Sequence, residues 1–314
     1  MSAPAPAGLV TLGETMGLFT ADGIGPLEYA RGVWIGIGGA ESNVAIGVAR
    51  LGGRATWCGR VGTDATGDLV ARRLRAEQVH TMAIRDPGFT GLMVKHRRSG
   101  AALHVDYHRA GSAGSRLTPA DVPVAAIEAA ATLHVTGITP ALGDTARAAV
   151  FHAVEVARAA GVTVSVDVNY RAKLWSRYDA APVLRDLASR ADVLFAGPDE
   201  AEIVLGGPPT LDDLAALGPT EVIVKDGARG CRALVDGVRH DLDALTVTVV
   251  DPVGAGDAFV AGYLADRLAG ADPARRLRTA VAAGAFAVTV PGDCEGFARR
   301  DELSVLASDE DVTR

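Results

Sequence analysis

The chain has 314 residues, 48% of them hydrophobic and 22% charged, enough to bury a sizeable core and to rule out global disorder. Thirty-one Lys and Arg against 38 Asp and Glu give a formal charge of −7, and no basic cluster is present. That balance argues against sequence-independent nucleic-acid binding, which rests on neutralising phosphates, but leaves room for a small anion held by a few arginines.

In chain order, "MSAPAPAG" lacks the basic start and apolar run of a signal peptide, so residues 1–8 are expected to be a loose tail, as are 307–314. Short β-branched runs predict strands at 9–13, 54–62, 131–137, 162–168, 192–196, 221–226 and 245–251. Longer amphipathic stretches predict helices at 41–51, 67–77, 143–160, 199–205, 256–269 and 274–288. Such alternation implies crossover connections, hence an α/β fold with a mostly parallel sheet between helices, in one domain. Two segments break it. Residues 15–37 hold a β-like run, "GVWIGIG", without a helix, and residues 89–109 look like two strands around a Ser-Gly turn. Both predict a small antiparallel sheet off the main one, suited to a lid that excludes water. No apolar stretch reaches the ~18–20 residues of a membrane span. Cys58, Cys231 and Cys294 show no disulfide or zinc spacing, so reduced thiols and a cytoplasmic location are expected.

Five segments can carry chemistry. In "GIGGAESNVAIGVARLGG", Gly38 and Gly39 would admit a ligand to a helix N-terminus, and the Asn43 amide could grip a hydroxyl. It has no G-x-G-x-x-G spacing, and no Walker motif occurs, which disfavours dinucleotide and P-loop chemistry. In "DPVGAGDAF", the N–H groups of Gly254, Ala255 and Gly256 can form an anion nest. Asp257 beside it is either a helix cap or a base for an attacking hydroxyl. Lys225 ends a strand before a glycine turn and could meet a nucleotide phosphate. Asp199 and Glu202, three apart, suit Mg²⁺ held through waters, or merely balance a helix dipole. Asn169 and Arg171 follow a strand at the sheet's C-terminal edge, and Tyr107 and Arg109 end the second hairpin. Two arginines and a tyrosine in one pocket would favour a carboxylate or phosphate on the substrate. The role of Asp251 stays open.

Together these words resemble the ribokinase-like (PfkB) family over about residues 9–303. "GGAESNVAIGVARLGG" with "GRVGTDATG" matches the family's N-terminal signature, and "DPVGAGDAF" its C-terminal one. The resemblance implies a ribokinase-like three-layer sandwich with a β lid. It implies Asp257 as catalytic base, an anion hole at Gly254, Ala255 and Gly256, and an ATP site along Lys225, Gly227 and Gly230. Mg²⁺ would lie near Asp199 and Glu202, where Asp199 replaces the family's Asn. "YHRAGSAGSRL", "LHVTGITPAL" and "DVNYRAKLWS" are similar to the family's 2-keto-3-deoxygluconate kinase branch. That branch phosphorylates the terminal hydroxyl of a six-carbon keto-acid. Gly39 and Asn43 would then hold sugar hydroxyls, while Tyr107, Arg109 and Arg171 read the acid end. Met93 stands where the branch often has a tyrosine, so one hydrogen bond to substrate is expected to be missing. The expected partners are a sugar acid, ATP and a second copy of the chain, with no nucleic acid or membrane.

Overall fold

The computed structural model describes residues 8–100 and 102–307. The expected tails lie outside the described residues except for Gly8, whose carbonyl accepts from Ala131 N at 2.9 Å, and Ala307. The strands are β1 (Leu9–Leu12), β2 (Met16–Ile24), β3 (Val33–Gly38), β4 (Ala55–Gly62), β5 (His80–Asp86), β6 (Leu92–Ser99), β7 (Ala102–His108), β8 (Thr132–Thr136), β9 (Thr163–Asp167), β10 (Val193–Ala196), β11 (Glu221–Lys225), β12 (Cys231–Val235) and β13 (Val238–Leu242). The α-helices are α1 (Ala40–Arg50), α2 (Ala65–Ala76), α3 (Val124–Glu128), α4 (Asp144–Ala159), α5 (Arg177–Ser189), α6 (Pro198–Leu205), α7 (Leu211–Ala215), α8 (Ala255–Leu268) and α9 (Pro273–Ala287).

The large sheet runs β13-β12-β11-β10-β9-β8-β1-β4-β5, parallel from β11 to β5, with β12 and β13 antiparallel at one edge. Its inner strands are buried on both faces, as packing between two helical layers requires. Val193 and Phe195 face α1, α8 and α9, while their neighbours Leu194 and Ala196 face α4 to α6. The period of two thus feeds two cores from one strand and makes three layers. Gly262 sets the approach of α8 to α9, since a Cβ there would stand 2.9 Å from Ala280 Cα.

Sequence reasoning misses β5, β12, β13, α3, α5 and α7. The last strand is mostly exposed and polar, and α5 carries Pro182 inside its pattern. The strand predicted at 245–251 is not formed. Leu245, Val247 and Val249 alternate with threonines, but Leu245, Val249 and Val250 are 41%, 60% and 42% exposed, and no neighbouring strand pairs with this segment. Val250 N and Asp251 N instead bond the carbonyl of Val288, at 2.7 and 3.1 Å.

Residues 15–37 and 89–109 supply the small sheet, ordered β3-β2-β6-β7. Both hairpins are antiparallel, and they join through a parallel β2–β6 pairing. Met16, Leu18, Met93 and Val105 form its own apolar cluster, turned toward the carboxyl edge of the large sheet.

Candidate active site

The chain leaves the exposed 243–250 segment and turns at Gly254, whose φ of +79° only glycine adopts freely. A Cβ there would also stand 2.1 Å from the carbonyl oxygen of Asp293. Helix α8 therefore starts at Ala255, two residues before Asp257, and no side chain caps it. Asp257 does not cap its own helix; its carboxylate turns sideways into the site. Asn43 Nδ2 donates to Oδ2 at 2.8 Å, and Asn169 Nδ2 approaches Oδ1 at 3.4 Å. Asn169 sits at φ +40°, a left-handed conformation that asparagine tolerates and that costs backbone energy.

Asn43 also donates to Asp293 Oδ1 at 2.8 Å. Asp293 has no counterpart among the sequence-predicted residues, because an acid in "PGDCEG" carries no periodic signal. Burial pushes Asp257 up to about 6, while the Asn43 bond and the Arg171 charge pull it down. Burial and then the Asp257 charge push Asp293 up to about 7. The oxygens of both amides, Asn43 Oδ1 and Asn169 Oδ1, are buried with no hydrogen-bond partner among the described residues.

A cavity of about 920 Å³ ends on Asp257. Of the residues predicted for substrate, Gly39, Asn43, Tyr107, Arg109 and Arg171 line it, and so do Gly254 and Met93. Asn169 lies behind Asp257. Gly39 is the N-cap of α1, and a Cβ there would stand 2.3 Å from the carbonyl of Glu14, so only glycine lets β1 and α1 meet. The two arginines differ. Arg109 is committed to buried Glu14, at 2.8 Å from Nε and 2.5 Å from Nη2, and Ser112 bonds the same carboxylate. Arg171 is exposed, with no bonded side-chain partner among the described residues. Lys173 donates to Val105 O at 2.9 Å, tying the loop after β9 to β7. Nothing in the local sequence singles out Glu14, although its place just after β1 puts it on the edge where ligands of such sheets bind.

Beside the glycine turn, Lys225 reaches both oxygens of Asp167, at 2.8 and 2.7 Å. Burial pulls the ammonium down, but Asp167, then Glu200, outweigh it and hold the pKa above its ordinary value. A Cβ on Gly256 would stand 3.6 Å from Lys225 Nζ, so ammonium and turn share one wall. Gly227 and Gly230 flank the tight turn after β11. Asp199 and Glu202 are exposed on α6, with Glu202 3.7 Å from Arg177. Glu200 between them turns inward to Gly197 N and Tyr170 N, at 2.7 and 2.9 Å. Among the described residues no three acids, histidines or cysteines gather into a metal cage. Two exposed carboxylates do fit a hydrated Mg²⁺ shared with phosphate oxygens.

A carboxylate beside a glycine turn that opens a helix, on the wall of a cavity, suits phosphoryl transfer to a hydroxyl. The pfkB family carbohydrate kinase model matches residues 7–299. The 2-dehydro-3-deoxygluconokinase of Bacillus subtilis (strain 168) is 35% identical, over 95% of this chain and 95% of that one. The enzyme of the same name from Thermoproteus tenax is 37% identical, over 97% and 95%. A putative Ribokinase II from E. coli, solved with ATP and Mg²⁺, superposes with a TM-score of 0.88 at 26% identity, covering 96% of this chain and 99% of that one. The chain belongs to the pfkB family and is a carbohydrate kinase.

Proposed function

We propose that the protein transfers the γ-phosphoryl group of ATP to the C6 hydroxyl of 2-keto-3-deoxy-D-gluconate, giving the 6-phosphate and ADP. The observation that carries this reading is Arg171, a guanidinium without a carboxylate partner on the wall of the cavity that ends at Asp257. A keto-acid supplies that carboxylate, whereas a neutral sugar leaves the fork unpaired. The kinases named for this substrate, at 35% and 37% identity, support it.

In this reading Asp257 takes the proton of the C6 hydroxyl, whose oxygen bonds the γ-phosphorus as the bond to the ADP oxygen breaks. The N–H groups of Gly254, Ala255 and Gly256 hold the charge on the transferring group, and Lys225, Gly227 and Gly230 flank the nucleotide. Gly39 and Asn43 meet sugar hydroxyls, Asn169 backs the Asp257 carboxylate, and Tyr107 lies against the acid end. Asp199 and Glu202 would hold Mg²⁺ through waters, and the metal's contribution is to screen phosphate charge. The whole chain acts as one kinase domain, with residues 15–37 and 89–109 as its lid. No helix among the described residues is long and apolar enough to cross a membrane, and the three buried thiols suit a cytoplasmic enzyme. Exposed Val33, Trp34 and Ile35 on lid-edge strand β3 suit pairing with a second copy.

A panel of acceptors with coupled ADP detection tests the substrate. The keto-acid should exceed fructose and ribose in kcat/KM by about 10–10², the scale of one charge-assisted bidentate pair. Equal use of a neutral sugar would overturn the assignment. Sedimentation showing only monomer at working concentration would remove the second copy.

A further inference from the structure

A lysine on the inward face of a strand demands an explanation. The inward positions of β6 are Met93 and Lys95, and Lys95 is 1% exposed. Taking an ammonium out of water costs several kcal/mol unless acceptors replace the solvent. Lys95 Nζ finds two, Asp251 Oδ2 and the carbonyl of Gly292, both at 2.5 Å. Neither belongs to the lid. Asp251 opens the loop that becomes the glycine turn, and Gly292 precedes Asp293.

These acceptors are themselves joined. Gly292 N donates to Asp251 Oδ2, and Val253 N to Asp251 Oδ1, each at 3.2 Å. The ammonium thus fixes the chain one residue before Gly254. A second contact runs the same way: Arg97, two residues along β6 on the same face, donates to Val250 O at 2.7 Å. Packing leaves little slack. A Cβ on Gly38, at the end of β3, would stand 1.9 Å from Asp293 Oδ2, and one on Gly254 would stand 2.1 Å from Asp293 O. Lid and turn both pack closely against Asp293.

We propose that Lys95 is a positioning residue that couples the lid to the anion turn. A lid displaced from the large sheet strands the Asp251 carboxylate and the Gly292 carbonyl without their cation. A seated lid holds the 251–254 chain, and with it the N–H groups of Gly254, Ala255 and Gly256, in place. The catalytic consequence rests on the kinase reading above; the mechanical coupling does not.

Lys95→Met alone leaves a buried carboxylate unpaired, so the deciding variant is Lys95→Met/Asp251→Asn, neutral at both positions. Hydrogen–deuterium exchange is measured on the ligand-free proteins, and steady-state kinetics with ATP and the keto-acid. The double variant should keep wild-type exchange in the core strand β8 while amides 251–256 exchange about tenfold faster or more. Its kcat should fall on the order of 10², with the KM for ATP changed less than about threefold. Wild-type loop exchange would overturn the proposal, and so would faster exchange with an unchanged kcat. If the wild-type protein phosphorylates no sugar acid, the functional reading fails, and the exchange measurement alone decides the coupling.

Discussion

Asn43 spans two buried carboxylates, donating from one Nδ2 to Asp257 Oδ2 and Asp293 Oδ1 at 2.8 Å each. Two acids this close cannot both shed their protons freely, so the pair titrates together. For the base proposed above, this poises the proton acceptor near neutrality without a histidine.

The first expectation concerns that base. Asp257→Asn keeps the shape and loses the proton acceptor, so kcat should fall by about 10²–10⁴. Nucleotide affinity should change little, because in the proposed reaction Asp257 acts on the acceptor hydroxyl. Single-turnover kinetics with an ADP-binding titration checks both, and near-normal turnover would exclude Asp257 as base.

The second is a pH profile. With Asp257 raised to about 6, kcat/KM should rise with pH through that region as the carboxylate ionises. Asp293, pushed higher to about 7 in part by the Asp257 charge, is still protonated through most of that region, so Asp293→Asn should leave this limb nearly in place. Stability runs the other way. A carboxylate raised on folding contributes its stability below its unfolded pKa and loses it as pH climbs through the folded value. Asp257, Asp293 and Glu41, at about 6, 7 and 7, should therefore lower Tm as pH rises from about 4 to 7. Asp293→Asn should flatten that slope in a thermal-melt series.

The two arginines supply the third. Arg171→Ala should lower kcat/KM for the keto-acid by about 10–10² while sparing any activity on a neutral sugar, with little change in Tm. Arg109→Ala strands buried Glu14 and should cost about 3–5 kcal/mol of stability. Equal Tm losses in the two variants would contradict the different pairings.

The fourth is a charge-pair test on Lys225. Lys225→Met leaves Asp167 buried and alone, for a loss of about 3–5 kcal/mol. Lys225→Met/Asp167→Asn should recover most of the stability in a denaturant titration without recovering kcat. Full activity in the double variant would remove Lys225 from the nucleotide wall.

Much of this was legible because it is local. The run Leu9–Leu12 and the glycines around Ala255 declare a strand and a turn from nearest neighbours alone. Residues 245–251 show the limit: β-branched alternation states a willingness to extend, but a strand also needs an edge to pair with. At the site, Arg109 and Arg171 stand out by type and by position after strands, and Asp257 by the glycine turn before it. Glu14, Lys95 and Asp293 matter through contacts 98, 156 and 250 positions away in the chain, with Ser112, Asp251 and Asn43. Only Lys95 leaves a trace in the sequence, a charge at an apolar position of an alternating strand.

The unpartnered oxygen of Asn43 has a consequence for selectivity. The amide spends its hydrogens on the Asp257 and Asp293 carboxylates, so what it contributes to a molecule entering the cavity is a lone pair. Only a molecule that brings a hydrogen of its own can satisfy it. A sugar analogue with a deoxy carbon or a methyl ether at that position would leave a dry acceptor behind, and a site built this way rejects such compounds without steric exclusion.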